Sequence, residues 1–351
     1  MKRTNMKKVI LSGLLALLSP TLSHATDTWP FDVADVVAGK TVSYQGLDKA
    51  SKKWHICVLF PHMKDSYWVG VDYGIADQAK ALGVKATIFQ AGGYTEAAKQ
   101  VAQYNDCVAL GVDAIIIGAI SEAGLAKSMA EGKAKGIVQV GVINPLQGDV
   151  ADAKIYANYD VAAAAGARFL AEKFKDSADP VKLLHFPGPQ GSGWAEASTE
   201  GVKLGIKDSK IELADAKYGD TGKSIQLQLV EDALQTYDDV GIIYGTAVTA
   251  EVAKQALQEA GIDRDVTIAS YYSNEGIVDL VKKGDVSATV TESPVMEARI
   301  AVDLAVRILE KKEHYKHLNP AMSIVTKDNI DTIDLTRSFA PAGWKPVYSV
   351  D

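Results

Sequence analysis

Cysteine and histidine are scarce in this sequence, and long basic or apolar runs are absent from most of it. Two Cys and six His in 351 residues leave little material for a metal site, and we predict none. The formal net charge is -7 and no basic cluster interrupts the chain, which argues against nucleic acid as a partner. Beyond residue 25, no apolar run is long enough to span a bilayer, so we expect no membrane insertion.

The composition that remains is that of a globular protein. The hydrophobic fraction is 47% and the mean hydropathy is balanced, which is not typical of a disordered chain. The length is sufficient for two domains of ordinary size, each with its own core.

The first 25 residues have the pattern of a secretory signal peptide. Basic residues at positions 2, 3, 7 and 8 precede an apolar run over residues 9–18, which is too short to cross a membrane. Ser23-His24-Ala25 is a cleavage signal with small residues at its ends. We therefore predict cleavage after Ala25 and export of a mature chain that begins near Thr26. A membrane anchor would need a longer apolar stretch.

The two cysteines are expected in an exported protein, where a disulfide can form and persist. Cys57 lies early in the first predicted strand of the main fold and Cys107 late in its second predicted helix. Both positions fall toward the same end of one predicted lobe. A disulfide and two buried free thiols are both compatible with this placement.

Short apolar runs alternate with helical patterns from residue 54 onward. Strands are predicted at residues 56–60, 86–90, 114–118 and 138–143, and then at 182–186, 211–215, 241–244, 267–270 and 286–291. Runs that are apolar throughout, such as residues 114–117, are typical of a parallel sheet covered on both faces. Two successive series of β-α-β units predict an α/β protein with two similar Rossmann-like lobes.

The chain is expected to cross between these lobes more than once. The predicted units are a signal peptide at 1–25, an irregular N-terminal arm at 26–53, a first lobe at 54–157 plus 293–324, and a second lobe at 158–292 plus 325–351. Residues 156–160, 291–294 and 324–327 are the candidate segments of a three-segment hinge.

Residues that directly follow the strands should line a cleft between the lobes, because ligands bind outside the carboxyl ends of parallel strands. The predicted ligand-binding residues at these positions and at the crossings are Asp65, Tyr67, Trp68, Tyr94, Asn144, Tyr159, Thr246, Tyr271, Tyr272 and Glu292. Tyr67 and Trp68 lie on the exit loop of the first strand, just before a helical pattern over residues 69–82. The alternative is that half of these aromatic residues pack the lobe interfaces.

The chemistry of this set is aromatic and sparsely charged. A sugar site would require many Asp, Asn and Arg side chains, and an amino-acid site would require an Arg for the carboxylate, yet no Arg follows these strands. A box of Tyr and Trp with a carboxylate suits a methylated, cationic or dipolar nitrogen held by ring quadrupoles. Glu292 or Asp65 can supply the negative charge. Asn144, Thr246 or a tyrosine hydroxyl can bond a ligand oxygen.

An enzyme is the main alternative class of protein. Residues 188–193 form a glycine-rich loop between a strand and a helix, but the spacing is not that of a dinucleotide-binding G-x-G-x-x-G. The sequence contains no G-x-S-x-G or H-E-x-x-H motif, and nothing completes a triad with His185 and Ser192. We therefore expect neither catalysis nor a cofactor.

Several short stretches carry a family resemblance over residues 54–348. They are residues 64–68 (Lys-Asp-Ser-Tyr-Trp), 91–94 (Ala-Gly-Gly-Tyr), 245–247 (Gly-Thr-Ala), and Arg337-Ser338 followed by Pro341, Gly343, Pro346, Val347 and Tyr348. The chain resembles the type I periplasmic binding proteins, the fold of the ribose-binding and autoinducer-binding receptors. Within them it resembles the periplasmic sensors of trimethylamine N-oxide (TMAO). The arm and the loop at 188–194 depart from the pattern, so Trp194 stands outside the predicted site.

The resemblance implies a periplasmic receptor without catalytic activity. Its ligand would be TMAO, which has a methylated, electron-poor nitrogen and one strongly accepting oxygen. Its partner would be the periplasmic sensor domain of a membrane histidine kinase in a two-component system. The alternative within the binding class is the solute receptor of a transport system, for a sugar or a quaternary ammonium compound.

Overall fold

The computed structural model describes residues 28–146 and 148–351, so the predicted signal peptide lies outside the described residues. The first half of the chain comprises β1 (Phe31–Asp35), β2 (Lys40–Tyr44), β3 (His55–Phe60), α1 (Ser66–Leu82), β4 (Lys85–Gln90), α2 (Ala97–Ala109), β5 (Ala114–Ile117), α3 (Glu122–Ala134), β6 (Val138–Val142), β7 (Ala153–Ile155) and α4 (Tyr159–Lys173).

The second half continues the alternation of strands and helices. It comprises β8 (Val181–Gly188), α5 (Trp194–Gly205), β9 (Ile211–Tyr218), α6 (Lys223–Thr236), β10 (Ile242–Gly245), α7 (Ala247–Glu259), β11 (Thr267–Ser270), α8 (Glu275–Lys283), β12 (Thr289–Thr291), α9 (Pro294–Leu309), β13 (His317–Pro320), β14 (Ser323–Val325) and β15 (Ser349–Val350), with single 3₁₀ turns at Ile330–Thr332 and Leu335–Arg337.

Two sheets organise these elements into two lobes. The first sheet has the order β15-β4-β3-β5-β6-β7-β13-β1-β2. Within it, the six neighbouring strands β4, β3, β5, β6, β7 and β13 are parallel to one another. The second sheet has the order β11-β10-β8-β9 and is parallel throughout. A separate antiparallel pair, β12 with β14, lies where the chain crosses between the lobes. The predicted α/β fold with two parallel sheets is confirmed.

The two ends of the chain correct the predicted division into units. The arm is not irregular: β1 and β2 form a hairpin, and β1 pairs with β13 at the edge of the first sheet. Phe31, Val33 and Tyr44 are buried, which is the alternating pattern of a half-covered strand pair. The tail also returns to the first lobe, because β15 pairs with β4. For the rest of the chain, we propose boundaries at 157/158 and 292/293.

The packing of α1 against α9 fixes the start of α1 relative to the hinge. Gly74 lies at the crossing, where a Cβ atom would come within 2.5 Å of the Val295 carbonyl oxygen and 2.7 Å of the Ala298 Cβ. Only the absence of a side chain allows this approach. The helix ends at Gly83, whose φ of 72° gives a left-handed C-cap.

Cys57 in β3 and Cys107 in α2 form a disulfide that closes a loop with a sequence separation of 50 residues. Both side chains are completely buried in a cluster with Leu59 and Tyr104. The bond therefore ties the first strand of the main fold to the helix that covers it.

Within 28–146 and 148–351, no helix combines the length and the apolar character that a membrane crossing requires. The same residues contain no cluster of three or more His, Cys, Asp or Glu side chains arranged to hold a metal ion.

Candidate ligand-binding site

A small pocket lies between the two lobes, at the carboxyl ends of their strands. It is lined by Asp65, Tyr67, Trp68, Tyr94, Ile143, Asn144, Tyr159, Trp194, Thr221 and Tyr272. Its cavity volume is only about 20 Å³, against about 690 Å³ for the open groove beside α8 and the tail, so the lining side chains nearly fill it. A pocket this small and this well covered by side chains suits a compact ligand.

The N-terminus of α1 brings the first three lining residues into place. Asp65 is the N-cap residue, and its Oδ1 accepts a hydrogen bond from the Trp68 backbone N–H at 3.1 Å. Trp68 therefore lies in the first turn of a helix and not on a loop, and its ring packs 5.3 Å from that of Phe60. A Cβ on Gly118 would come within 2.7 Å of the indole, so this glycine makes room for Trp68.

Tyr67 connects the pocket to the crossings of the chain. Its hydroxyl donates to Glu292 Oε1 at 2.8 Å and lies 3.2 Å from the Tyr159 hydroxyl. Burial raises the pKa of Glu292 to about 8, so this carboxyl group is mostly protonated at neutral pH. Glu297, at the start of α9, is completely buried, and this burial, together with the nearby Glu292, raises its pKa well above its ordinary value. The crossing thus contributes little negative charge to the pocket.

Tyr94 and Asn144 form the polar wall of the first lobe. The Asn144 Nδ2 donates to the Tyr94 hydroxyl at 3.0 Å and to the Ala119 carbonyl oxygen at 2.7 Å. The residue before Asn144, Ile143, has a φ of 64°, an uncommon and strained value for a β-branched side chain. Such strain concentrates at functional sites, and here it places Ile143 against the pocket.

The second lobe contributes the rings of Trp194 and Tyr272. Trp194 is the first residue of α5, with ring centroids 5.6 Å from Tyr94, 5.8 Å from Tyr159 and 6.4 Å from Tyr272. Its buried indole Nε1 has no hydrogen-bond acceptor of good geometry among the described residues, and only a weaker contact with the Tyr94 hydroxyl. This N–H remains available for an accepting group on a ligand.

Three predicted residues do not line the pocket. Tyr271 is completely buried in the second lobe, where its hydroxyl donates to the Pro187 carbonyl oxygen and its ring supports Tyr272 at 5.3 Å. Thr246 caps α7, with its Oγ1 accepting from the Thr249 backbone N–H at 3.0 Å. Glu292 lies behind Tyr67. Each follows a strand or crossing as predicted, but its side chain points into the protein interior.

Sequence reasoning missed Ile143, Trp194 and Thr221 as lining residues. Trp194 had the same signal as the predicted aromatic residues, since it follows a strand of the second lobe at the end of a glycine-rich loop. Thr221 also follows a strand, but the predicted strand at 211–215 ends three residues before β9 does. Ile143 had no signal, because the backbone angle that turns it toward the pocket is a property of the fold.

Among the described residues that line the pocket, Asp65 is the one with a pKa shifted to near neutral pH. Burial raises its pKa to about 6, with smaller contributions from the nearby carboxylates of Glu251 and Asp220 and an opposing one from the Trp68 N–H. No Lys or Arg is among the described lining residues. A cation in the pocket would restore the ordinary preference of Asp65 for its charged form.

Comparison with known proteins identifies the class. The family profile described as a periplasmic binding protein domain matches residues 56–313. Because this match covers most of the chain, the protein belongs to the periplasmic binding protein family, and the solved structures below share its type I fold.

Two curated relatives differ in what their names describe. The periplasmic protein TorT of Escherichia coli K12 is 27% identical over 302 residues, which are 86% of this chain and 86% of that protein. The ribose import binding protein RbsB of Bacillus subtilis is 22% identical over 79% of this chain and 88% of that protein.

Two solved structures add further relatives. An ABC transporter solute binding protein from Bradyrhizobium sp. BTAi1 with bound bis-tris has a TM-score of 0.77 and 43% identity, covering 91% of this chain and 98% of that one. TorT in complex with the TorS sensor domain in the presence of TMAO has a TM-score of 0.74 and 25% identity, covering 84% of this chain and 100% of that one.

Proposed function

We propose that this protein is a periplasmic receptor that closes its lobes around a small, methylated amine derivative, with TMAO as the first candidate. The closed form would then be recognised by the periplasmic sensor domain of a membrane histidine kinase, as in a TorS-like two-component system. A ligand changes such a signal only if it binds one arrangement of the lobes better than the other. The proposal includes no catalytic step and no cofactor.

One observation carries this proposal: aromatic rings from both lobes meet around one carboxyl group in a compact pocket. Trp68 and Tyr94 approach from the first lobe and Trp194 and Tyr272 from the second, with Asp65 beside them. Ring faces and a carboxylate favour an electron-poor, methylated nitrogen. The Trp194 Nε1 and the Tyr94 hydroxyl provide donors for an N-oxide oxygen.

The relatives support an amine derivative in two ways. The complex of TorT with the TorS sensor domain is described in the presence of TMAO, and the Bradyrhizobium protein has bound bis-tris, which is a tertiary amine with several hydroxyl groups. A sugar fits the pocket less well, because Asp65, Asn144 and Thr221 are the only lining side chains other than aromatic ones that offer polar groups, and the Tyr67 and Tyr159 hydroxyls are already bonded within the described part of the protein.

The second candidate function is the solute receptor of an ABC transporter for a quaternary ammonium compound. It is favoured by the 43% identity to a protein described as an ABC transporter solute binding protein, against 27% to TorT. Both candidate functions share the pocket chemistry and differ in the partner protein that binds the closed form of the receptor.

Titration calorimetry of the mature chain with TMAO, choline, bis-tris and ribose tests the ligand class. We expect binding of TMAO or choline and none of ribose at the same concentrations. Ribose binding with no response to the amines would overturn the proposal.

Co-purification tests the partner. A TorS-like periplasmic domain immobilised on beads should retain the receptor, and the amount retained should change when ligand is added. A permease in detergent should not retain the receptor. Retention by the permease alone would select the transporter function.

A further inference from the structure

Two polar contacts join the lobes at the rim of the pocket. The Lys64 Nζ lies 3.2 Å from Asp220 Oδ2, and the His62 Nε2 lies 3.1 Å from the Thr221 Oγ1. His62 and Lys64 belong to the loop after β3 in the first lobe, and Asp220 and Thr221 to the loop after β9 in the second. Parting of the lobes would therefore break both contacts at once.

The ion pair lies directly over Gly93. A Cβ atom on Gly93 would be 2.7 Å from Lys64 Nζ and 2.8 Å from Asp220 Oδ2, closer than real Cβ contacts allow. The Asp220 side chain is only 8% exposed, whereas that of Lys64 is 38% exposed. The carboxylate is thus held mostly out of water by the closed arrangement, which strengthens its attraction to Lys64.

The second contact fixes the hydrogen positions on His62. The Lys64 backbone N–H donates to His62 Nδ1 at 3.3 Å, so Nε2 carries the proton and donates to Thr221. The imidazole is completely buried, edge-on to Tyr94 at 5.5 Å and to Trp68 at 6.2 Å. His62 therefore supports two rings of the pocket while it bonds to the opposite lobe.

We propose that the Lys64–Asp220 ion pair and the His62–Thr221 hydrogen bond form an interlobe latch over Gly93 that sets the equilibrium between open and closed lobes. The inference rests on the proposed closing around a ligand. Lys64, Asp220 and Gly93 do not line the pocket, so they act on affinity by changing the fraction of receptor that is closed. They are positioning residues for the receptor.

A charge exchange tests the latch. Small-angle scattering of the ligand-free mature chain should show a larger radius of gyration for Lys64→Glu and for Asp220→Lys than for the wild type. The double variant Lys64→Glu/Asp220→Lys should return toward the wild-type value, because the pair is restored with reversed polarity. Gly93→Ala should resemble the single variants, since the added methyl group displaces the paired atoms.

A matched control lies within the second lobe. Lys254→Glu breaks an ion pair with Asp285 of similar type that does not bridge the lobes, and it should leave the radius of gyration unchanged. If the single variants scatter like the wild type, or if the double variant is as open as the singles, the latch is wrong.

Ligand titration then separates this inference from the proposed function. With TMAO or choline, the single variants should bind about five- to tenfold more weakly than the double variant, as expected when the closed fraction falls by that factor. If neither amine binds the wild type but scattering follows the charge exchange, the latch stands and the proposed ligand fails. If the amines bind all variants equally, closure does not depend on the latch.

Discussion

At the level of single residues, Asp65 has two roles. Its Oδ1 caps α1, and its carboxyl group faces a pocket of aromatic rings without a basic partner among the described residues. Capping requires only an accepting oxygen, whereas attraction of a cation requires the negative charge. The two roles can therefore be separated by a substitution that keeps the oxygen and removes the charge.

Asp65→Asn is that substitution. Asn and Asp are about equally good N-caps, so the cap is retained. Burial raises the pKa of Asp65 from 3.8 to about 6, so its charged form opposes folding above pH 6, and Asp65→Asn should raise the free energy of unfolding at pH 7 by on the order of 3 kcal/mol. Affinity for choline, a full cation, should fall at least about tenfold, and affinity for TMAO, which carries no net charge, should fall less. Calorimetry with both ligands measures the difference. Asp334→Asn, a cap outside the pocket, is the control, and equal affinities of Asp65→Asn and wild type for choline would contradict the role of the charge.

Glu292 gives a prediction for stability against pH. Its pKa is raised from 4.5 to about 8, so the folded protein binds a proton that the unfolded chain releases above pH 4.5. This stabilising contribution is complete below pH 4.5 and is lost as the pH rises through 8, and it amounts to on the order of 5 kcal/mol. Glu292→Gln retains an acceptor for Tyr67 and removes the titration. The free energy of unfolding, measured by urea denaturation from pH 5 to 8, should fall less steeply with pH for this variant than for the wild type. An identical slope for the two proteins would show that the carboxyl group is not buried in solution.

At the level of elements, the strands of the repeated β-α-β units could be predicted from sequence, whereas the strands that join the first sheet from outside these units could not. Strands β5 and β10 are buried at every residue, and short apolar runs mark them. Strands β4 and β9 are partly exposed and contain polar residues, but they alternate with helical patterns in the same way. Strands β7 and β13 are three and four residues long, too short to show a period. The hairpin and the tail join the first sheet through pairing with distant strands, which is a tertiary contact that local sequence does not record.

The same distinction explains the site. Because parallel strands bring their carboxyl ends together, residues that follow a strand are expected at the cleft, and Tyr67, Tyr94 and Tyr272 do line the pocket. Position after a strand did not tell which side chain turns into the cleft. Tyr271 and Tyr272 are adjacent in sequence, yet one packs in the second lobe and the other lines the pocket.

Gly74 tests how far the α1–α9 crossing controls stability. Gly74→Ala would place a methyl group against the Val295 carbonyl oxygen and the Ala298 Cβ, and such overpacking typically costs about 1–3 kcal/mol. Gly124→Ala in α3 meets only ordinary contacts with Ser121 and should stabilise the protein by up to about 1 kcal/mol through helix propensity. Urea unfolding of the two variants should therefore move in opposite directions. A shift in the same direction for both would mean that α1 and α9 adjust freely.

At the level of the whole molecule, closing the lobes changes the environment of titratable groups at the cleft. His62 is buried in the closed form and its pKa is lowered to about 4, mainly by burial, with Asp220 opposing and Lys64 adding to the effect. If opening exposes the imidazole to water, its pKa returns toward 6.5. The open form then binds more protons between pH 4 and 6.5, so through His62 acid favours opening.

Asp65 acts in the opposite direction in the empty receptor. Its pKa is raised to about 6 in the closed form, so closing takes up a proton and acid favours closure through this group. Asp65→Asn removes that contribution and isolates the effect of His62.

In the Asp65→Asn background, the radius of gyration of the ligand-free protein should rise as the pH falls from 6.5 to 4. The double variant Asp65→Asn/His62→Gln should lose most of that change, because Gln can still donate to Thr221 but does not titrate. Contributions from Glu292 are common to both variants and cancel in the comparison. Equal pH profiles for the two variants would show that His62 stays buried when the lobes part.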